Sequence, residues 1–379
     1  MATKPRFLIL GGVGFIGRNL VQHLVDNDLA SKIRVVDKVM PMMGNLDAKF
    51  KAAFENPLVE YKQASLTNVK SIANAFTDEE GGGDYDFVIN LAGETKYGQS
   101  EDVYKEKVLD VAMKCAEEAK KHQTKRFIEV STAQVYDAGK KSSTETSSTK
   151  PWTLIAKYKL EVENKLKEMN SDEFQVIFVR PALVYGPGDV AGFAPRIICG
   201  AVYKYEKEKM KFLWGSSLKT NTVHVRDLAR AIVFLCEKGN PGEIYNVVDK
   251  NETDQGKTNK ILEQIFEIKT GFTNVIENTY ARANLKHVTE ISNDKHLQPW
   301  SDLCKEQKIM NSPLTPYLDK EVLANNSLSV DGSKLENAGF TYEIPVMEIS
   351  HVREIIDRWI EQGIFPGDLL SPKEEPVQA

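Results

Sequence analysis

Apolar residues fall in short runs separated by amphipathic stretches. Residues 6–17, RFLILGGVGFIG, pass from an apolar run into glycines, which reads as a strand, a tight turn and the start of a helix. The helix continues through NLVQHLVDNDL, and KIRVVD (32–37) returns as a strand ending at Asp37. Such a βαβ unit sets its strands parallel with a right-handed crossover. The alternation then repeats: strand 58–64, helix 69–76, strand 85–93, a long helix to about Lys121, strand 126–132, helix 152–169 and strand 174–181. The runs FVINL and IFVR suit strands covered by helices on both faces. The pattern predicts an α/β fold with a doubly wound parallel sheet.

After Pro181 the periodicity loosens. VYGPGDVAGFAPR (184–196) reads as loop, TNTVHV (220–225) as a short strand, RDLARAIVFLCEKG (226–239) as a helix and EIYNVVD (243–249) as the last strand. The polar NETDQGKTN (251–259) caps a helix expected around Lys260–Lys269, and PWSDLC, SPLTPY and LANNS follow in an irregular stretch. Helical patterning resumes over 331–362, and SPKEEPVQA (371–379) reads as a disordered tail. The expected division is residues 1–186 plus 220–250 as one domain, and 187–219 plus 251–370 as a smaller C-terminal one.

Composition narrows the function classes. The 379 residues are 41% hydrophobic and 27% charged, with net charge −5, which excludes a disordered chain. It also excludes a general nucleic-acid binder, which needs a basic face to displace phosphate counterions. No apolar run approaches the length of a membrane span. Cys115, Cys199, Cys236 and Cys304 are scattered single thiols, expected as buried small hydrophobes in a reducing, cytoplasmic setting. The six histidines show no ligand spacing with these cysteines, so no metal is expected.

The glycine run carries the first chemistry. Gly11-Gly12-Val13-Gly14-Phe15-Ile16-Gly17 follows a strand and opens a helix, with Asp37 at the end of the next strand. Glycines let the backbone approach a pyrophosphate, whose charge rests on the helix N-terminus, and Asp37 would accept from the ribose hydroxyls. A turn that only packs helix on strand would need the same residues. Asp37 should repel a 2′-phosphate, which favours NAD over NADP, although Lys38 beside it could pair with one.

GGVGFIG (11–17), INLAG (89–93), EVSTAQVY (129–136), AKYKLEVE (156–163), VRPALVYGPGD (179–189) and VHVRDLARAI (223–232) together resemble the extended short-chain dehydrogenase/reductase superfamily, in its epimerase/dehydratase branch. The resemblance runs from Phe7 to about Gly363 and implies a Rossmann-type NAD-binding domain with a smaller substrate or lid domain. It implies cofactor contacts at Gly11, Gly14, Phe15, Ile16, Gly17, Asp37, Lys38, Leu91, Ala92, Gly93, Lys159 and Pro181. It also implies a catalytic Ser/Thr, Tyr and Lys, matched here by Thr132 and Lys159. The tyrosine position, one helical turn before Lys159, holds Ile155. Isoleucine cannot move a proton, and losing a general acid/base forfeits about 10²–10⁴ in rate. Tyr97 and Glu94, in the loop after INLAG, are candidate substitutes.

Further departures bear on the substrate. Dehydratases of this branch carry Asp-Glu after the active Thr, where this chain has Ala133-Gln134; the arginine expected before the VHV strand is Thr220, with Lys219 beside it. Arg196 and Arg226 could contact an anionic substrate, or be a solvated helix residue and a helix-start surface charge. Residues 270–325 are longer than the family's usual connection and suit a lid or a protein-partner surface. A homodimer through helices 100–121 and 152–169 would place Val108, Val111, Leu160 and Leu166 between sheet and partner. Two readings remain open: an NAD-dependent epimerase- or reductase-like enzyme acting on an unknown small molecule with a substitute acid/base, or an inactive cofactor-binding structural or sensing protein.

Overall fold

Each central strand buries side chains on both faces. In β1 (Arg6–Leu10), Phe7 and Ile9 point to one side and Leu8 and Leu10 to the other, and all four are buried. The computed structural model describes residues 4–77, 84–139 and 141–370; the tail 371–379, expected to be disordered, lies outside them. The remaining strands are β2 (Lys32–Asp37), β3 (Val59–Gln63), β4 (Phe87–Asn90), β5 (Arg126–Val130), β6 (Gln175–Pro181), β7 (Leu183–Tyr185), β8 (Met210–Phe212), β9 (Thr222–His224), β10 (Ile244–Val247) and β11 (Thr270–Phe272). Seven of them form a parallel sheet in the order β10-β6-β5-β4-β1-β2-β3. The winding reverses at β1, between β2 and β4, and a crevice at the carboxyl ends of such strands is where open α/β sheets bind ligands.

The chain forms two compact units: Met1–Gly188 with Lys219–Glu252 and Asn326–Met347, and Asp189–Leu218 with Thr253–Asn325 and Glu348–Ala379. In the first, one face of the sheet packs Ile9, Val35, Ile128 and Val179 against Leu20, Leu228 and Ile232. The other packs Leu8, Val88, Phe127 and Phe178 against Val108, Cys115, Val162 and Leu166. The second unit is mainly helical, over Ala194–Glu206, Gln255–Phe266, Val275–Ala283, Leu285–Glu306 and Ile349–Glu361, with β8 and β11 paired parallel.

Several expectations are corrected. Residues 326–347 join the first unit, because Asn221 exchanges hydrogen bonds with Leu328 and Val330, and Leu335, Phe340 and Tyr342 enter the core beside Leu228. The stretch 184–196 is not all loop: β7 pairs with β9, and Ala194 opens a helix whose first turn tolerates Pro195, since its missing N–H has no helical partner there anyway. PWSDLC lies inside the helix Leu285–Glu306, which accommodates Pro299. The helix expected around Lys260–Lys269 spans Gln255–Phe266, because Asp254 caps it by accepting from the Lys257 N–H at 2.9 Å. Ile244–Val247 is not the last strand, since β11 follows it. The helix expected over 100–121 is interrupted by a π turn at Lys105–Asp110. Val108, Val111 and Leu166 are buried in this chain's own core and Leu160 is half-buried, while Lys157, Asn164, Lys165, Lys167 and Glu168 face outward on the helix Leu154–Met169.

Candidate functional site

The glycine loop crosses from β1 to the helix Phe15–Asp26, and its glycines are not equivalent. A Cβ on Gly11 (φ +77°) would come within 2.9 Å of the Ala92 backbone, and one on Gly12 within 2.7 Å of Val35. One on Gly17 would come within 2.5 Å of Gly12. Packing therefore accounts for those three. Gly14 is exposed, with an ordinary φ of −64° and ψ of 174°, and a Cβ there would meet only the Gly11 carbonyl oxygen, at 3.1 Å. Conformation does not demand glycine at that position, and crowding is limited to this one tight contact, far milder than those at Gly11, Gly12 and Gly17. Gly14 presents bare backbone at a helix N-terminus that has no side-chain cap and no acidic residue in its first turn, so the helix dipole is left for an external anion. Phe15 and Ile16 begin that helix, half-buried; Leu91 and Ala92 close the loop's inner side, and the exposed Gly93 continues from them.

Asp37 ends β2 beside the loop. Its Oδ2 accepts from the Val13 N–H at 3.1 Å and its Oδ1 from the Val39 N–H at 3.0 Å. Each oxygen keeps a further lone pair for a ribose hydroxyl. Lys38 is exposed at the next position. Arg18, not singled out from the sequence, is buried under the loop and donates to the Val13 and Gly44 carbonyls, both at 2.8 Å. Burial pulls its pKa down to about 10, against the pull of Asp47 and Asp37. Its signal was a cation directly after the glycine motif, on a helix face that otherwise packs inward.

A row of polar side chains crosses the far ends of the central strands, on the sheet face covered by the helix Leu154–Met169. Asn90 is paired across the ladder with Glu129, and Arg180 with Asn246. All four are at most 2% exposed. Above the row the helix presents Ile155, Lys159 and Glu163, spaced one turn apart on one face. The Lys159 Nζ donates to Glu129 Oε1 at 2.9 Å and to the Val130 carbonyl at 2.8 Å. Asn90 Nδ2 donates to Glu129 Oε2 at 2.6 Å. Burial pushes the Glu129 carboxyl up, against the downward pull of Lys159 and Asn90. Glu163 takes the Arg180 guanidinium, which stacks 4.8 Å over the Tyr136 ring. Ile155, half-buried, packs against the core where a phenol would stand one turn before Lys159. Glu129 and Asn90 were missed in the sequence; their signal was a polar residue inside the apolar runs RFIEV and FVIN.

Thr132 follows β5, half-buried, and its hydroxyl oxygen accepts from the Gln134 N–H at 3.2 Å. The Gln134 amide donates to the Tyr97 hydroxyl at 3.0 Å and accepts from Thr153 Oγ1 at 3.0 Å. The structure thus brings Tyr97 to the Thr132 turn. Glu94 is folded into its own loop: one oxygen accepts from the Thr95 and Lys96 N–H groups at 3.1 and 3.0 Å, and the other lies 3.9 Å from Lys107 Nζ. Pro181, buried, ends β6 opposite Val247. Thr220 bridges to Leu328, and Lys219 pairs with Glu252. Arg226 opens the helix Val225–Lys238. Arg196, in the second unit, is half-buried with its guanidinium 5.8 Å over Phe212, which corrects its reading as a solvated helix residue.

Residues 7–247 match the NAD dependent epimerase/dehydratase family. The chain is 24% identical over 318 residues to a dTDP-D-glucose 4,6-dehydratase of Homo sapiens, covering 80% of this chain and 83% of that one. It is 26% identical over 262 residues to the dTDP-D-glucose 4,6-dehydratase of Dictyostelium discoideum, covering 64% of this chain and 58% of that relative's length. Its fold is similar to the crystal structure of a dTDP-glucose 4,6-dehydratase from Streptomyces venezuelae solved with NAD bound, with a TM-score of 0.68 at 17% identity, covering 96% of this chain and 99% of that one.

Proposed function

The chain belongs to the NAD dependent epimerase/dehydratase family, and from that premise we propose that it binds NAD in its first unit and acts as an oxidoreductase or epimerase on a small molecule carrying a secondary alcohol or its ketone. The observation that carries this reading is Gly14, bare and exposed at an uncapped helix N-terminus, with ordinary backbone angles and a single close neighbour. The loop and helix terminus hold a pyrophosphate, and Asp37, fixed by the Val13 and Val39 N–H groups, accepts from the adenosine ribose and disfavours a 2′-phosphate. When bound, NAD supplies the hydride acceptor. The Thr132 hydroxyl orients the reacting oxygen, and Lys159 holds the nicotinamide ribose. Tyr97, held at Gln134, is placed better than Glu94 to exchange a proton near Thr132.

The human and Dictyostelium discoideum relatives are dTDP-D-glucose 4,6-dehydratases, and a nucleotide sugar is the first substrate class to test. Dehydration does not fit, because the neutral Gln134 offers neither acid nor base and is tied to Tyr97 and Thr153. The second unit, with residues 270–325, is assigned to substrate selection. A cytoplasmic setting suits four buried, unpaired thiols. The test is absorbance at the reduced-nicotinamide band while nucleotide sugars, free sugars and steroids are presented with NAD. Turnover lost in Thr132→Val supports the reading; turnover that needs no NAD, bound or added, contradicts it.

A further inference from the structure

Glu129 has no role in the reading above, yet it is a fully buried carboxyl group beside Lys159. It lies at 0% exposure near the carboxyl end of a central strand, and a carboxylate removed from water is costly unless it is closely partnered. Its partners are close. Asn90, its direct neighbour across the ladder, holds one carboxylate oxygen, and Lys159 holds the other at 2.9 Å. Lys159 in turn is only 11% exposed, and two of its three N–H directions are used below it, by Glu129 and by the Val130 carbonyl. Its side chain is therefore pinned from the sheet side by Glu129 and Val130, three and two residues before Thr132.

The helix itself supplies no such partner. One turn before Lys159 stands Ile155, which can neither accept a hydrogen bond nor carry charge. One turn after it, Glu163 is engaged by the Arg180 guanidinium. Asn90 adds no charge. Among the groups packed around Lys159, Glu129 is the anion hydrogen-bonded to it.

We propose that Glu129 is the positioning residue of this site, holding the Lys159 ammonium in place for the cofactor's ribose in the absence of a tyrosine at position 155. This rests on the reading that NAD occupies the glycine loop. It predicts that Glu129 acts only through Lys159 and that its charge matters more than its shape. Hydrogen bonds from a charged donor are worth about 1.5–3 kcal/mol, or roughly 10- to 150-fold in affinity.

The experiment is NADH fluorescence titration of the full chain and its variants, with circular dichroism to confirm folding. Lys159→Met should weaken NADH at least tenfold. Glu129→Gln, isosteric but neutral, should weaken it by a comparable factor, and Glu129→Asp, shorter but charged, by less. The double variant Lys159→Met/Glu129→Gln should bind no more weakly than Lys159→Met alone. A purely structural carboxylate would reverse the order, with the isosteric Gln retaining more affinity than Asp. Wild-type affinity in Glu129→Gln, that reversed order, or losses that add in the double variant overturn the proposal while leaving cofactor binding intact. If Glu129→Gln does not fold, the order of Asp against wild type and the Lys159→Met arm still decide. Failure of the underlying reading is distinct: the wild-type protein would not bind NADH at all.

Discussion

Replacing Lys159 by Met should make stability depend steeply on pH. Methionine keeps the length and flexibility of the side chain, so packing changes little. The charge is lost, and Glu129 is left at 0% exposure with only Asn90 to hydrogen-bond it. An isolated buried carboxylate neutralises rather than stay charged. Taking up a proton at pH 7 costs a carboxyl of ordinary pKa, about 4.3, roughly 1.4 kcal/mol for each unit above that value, or about 4 kcal/mol. At pH 5 the same cost is about 1 kcal/mol. These figures are upper bounds on the gap, and the larger agrees with the roughly 3–5 kcal/mol typical of breaking a buried ion pair. A carboxyl whose folded pKa lies above its unfolded one makes stability fall as pH rises through that window. Burial raises the wild-type Glu129 in the same direction, but Lys159 opposes it, so the wild-type window closes earlier and the gap opens above it. Urea unfolding of both proteins at pH 5, 6, 7 and 8 measures this. The difference should grow by about 1.4 kcal/mol per unit once wild-type Glu129 is ionised, and Lys159→Met/Glu129→Gln should recover most of it. A gap that is the same at every pH would show that Glu129 is not an ionised partner of Lys159.

Other substitutions test separate parts of the site. Ile155→Tyr should be tolerated, costing at most about 1 kcal/mol or roughly 1–2 °C in melting temperature, because Ile155 is only half-buried; a loss of several kcal/mol would mean the space above the polar row is closed. Its turnover, on any substrate found, should rise if no other group moves the proton and stay level if Tyr97 already does. Asp37→Asn should shift the NADH-to-NADPH affinity ratio toward NADPH by about tenfold or more in calorimetry, since it removes the charge facing a 2′-phosphate while keeping an acceptor for Val13. Gly17→Ala should destabilise the fold by about 2 kcal/mol or more, through a Cβ 2.5 Å from the Gly12 backbone, whereas Gly14→Ala should leave the melting temperature nearly unchanged.

The parallel sheet was readable because its strands are apolar on both faces and its helices periodic on one, and those signals are local. The places of the glycine loop and Asp37 in the fold were readable because a strand–turn–helix context surrounds them, while Thr132 and Lys159 were singled out only through the family resemblance. Glu129 was not, because its partners lie 39 residues before it at Asn90 and 30 residues after it at Lys159, and nothing local marks a charge in an apolar strand as paired. The π turn at Lys105–Asp110 was missed because its apolar positions, Val108 and Leu109, also suit an ordinary helix. The second unit was hardest. Pro299 and the polar residues around it suggested irregular chain, yet tertiary packing of Trp300, Leu303 and Cys304 overrides that local preference and keeps a helix of 22 residues. Retention of Lys159, which from sequence speaks for catalysis, has a second physical reason in the structure, the neutralisation of Glu129.

The central claim is that NAD lies across the glycine loop with its pyrophosphate at Gly14. Calorimetric titration of NADH into the wild-type protein and into Gly14→Val tests it most directly. Valine suits the extended backbone at this position, and its Cβ meets the Gly11 carbonyl alone, at 3.1 Å, which a shift of a few tenths of an ångström relieves; an unchanged circular-dichroism spectrum checks that the variant is folded. The account predicts saturable NADH binding by the wild-type chain and none by the folded variant. Equal binding by both would contradict it, and would leave the glycine run as a packing turn between strand and helix.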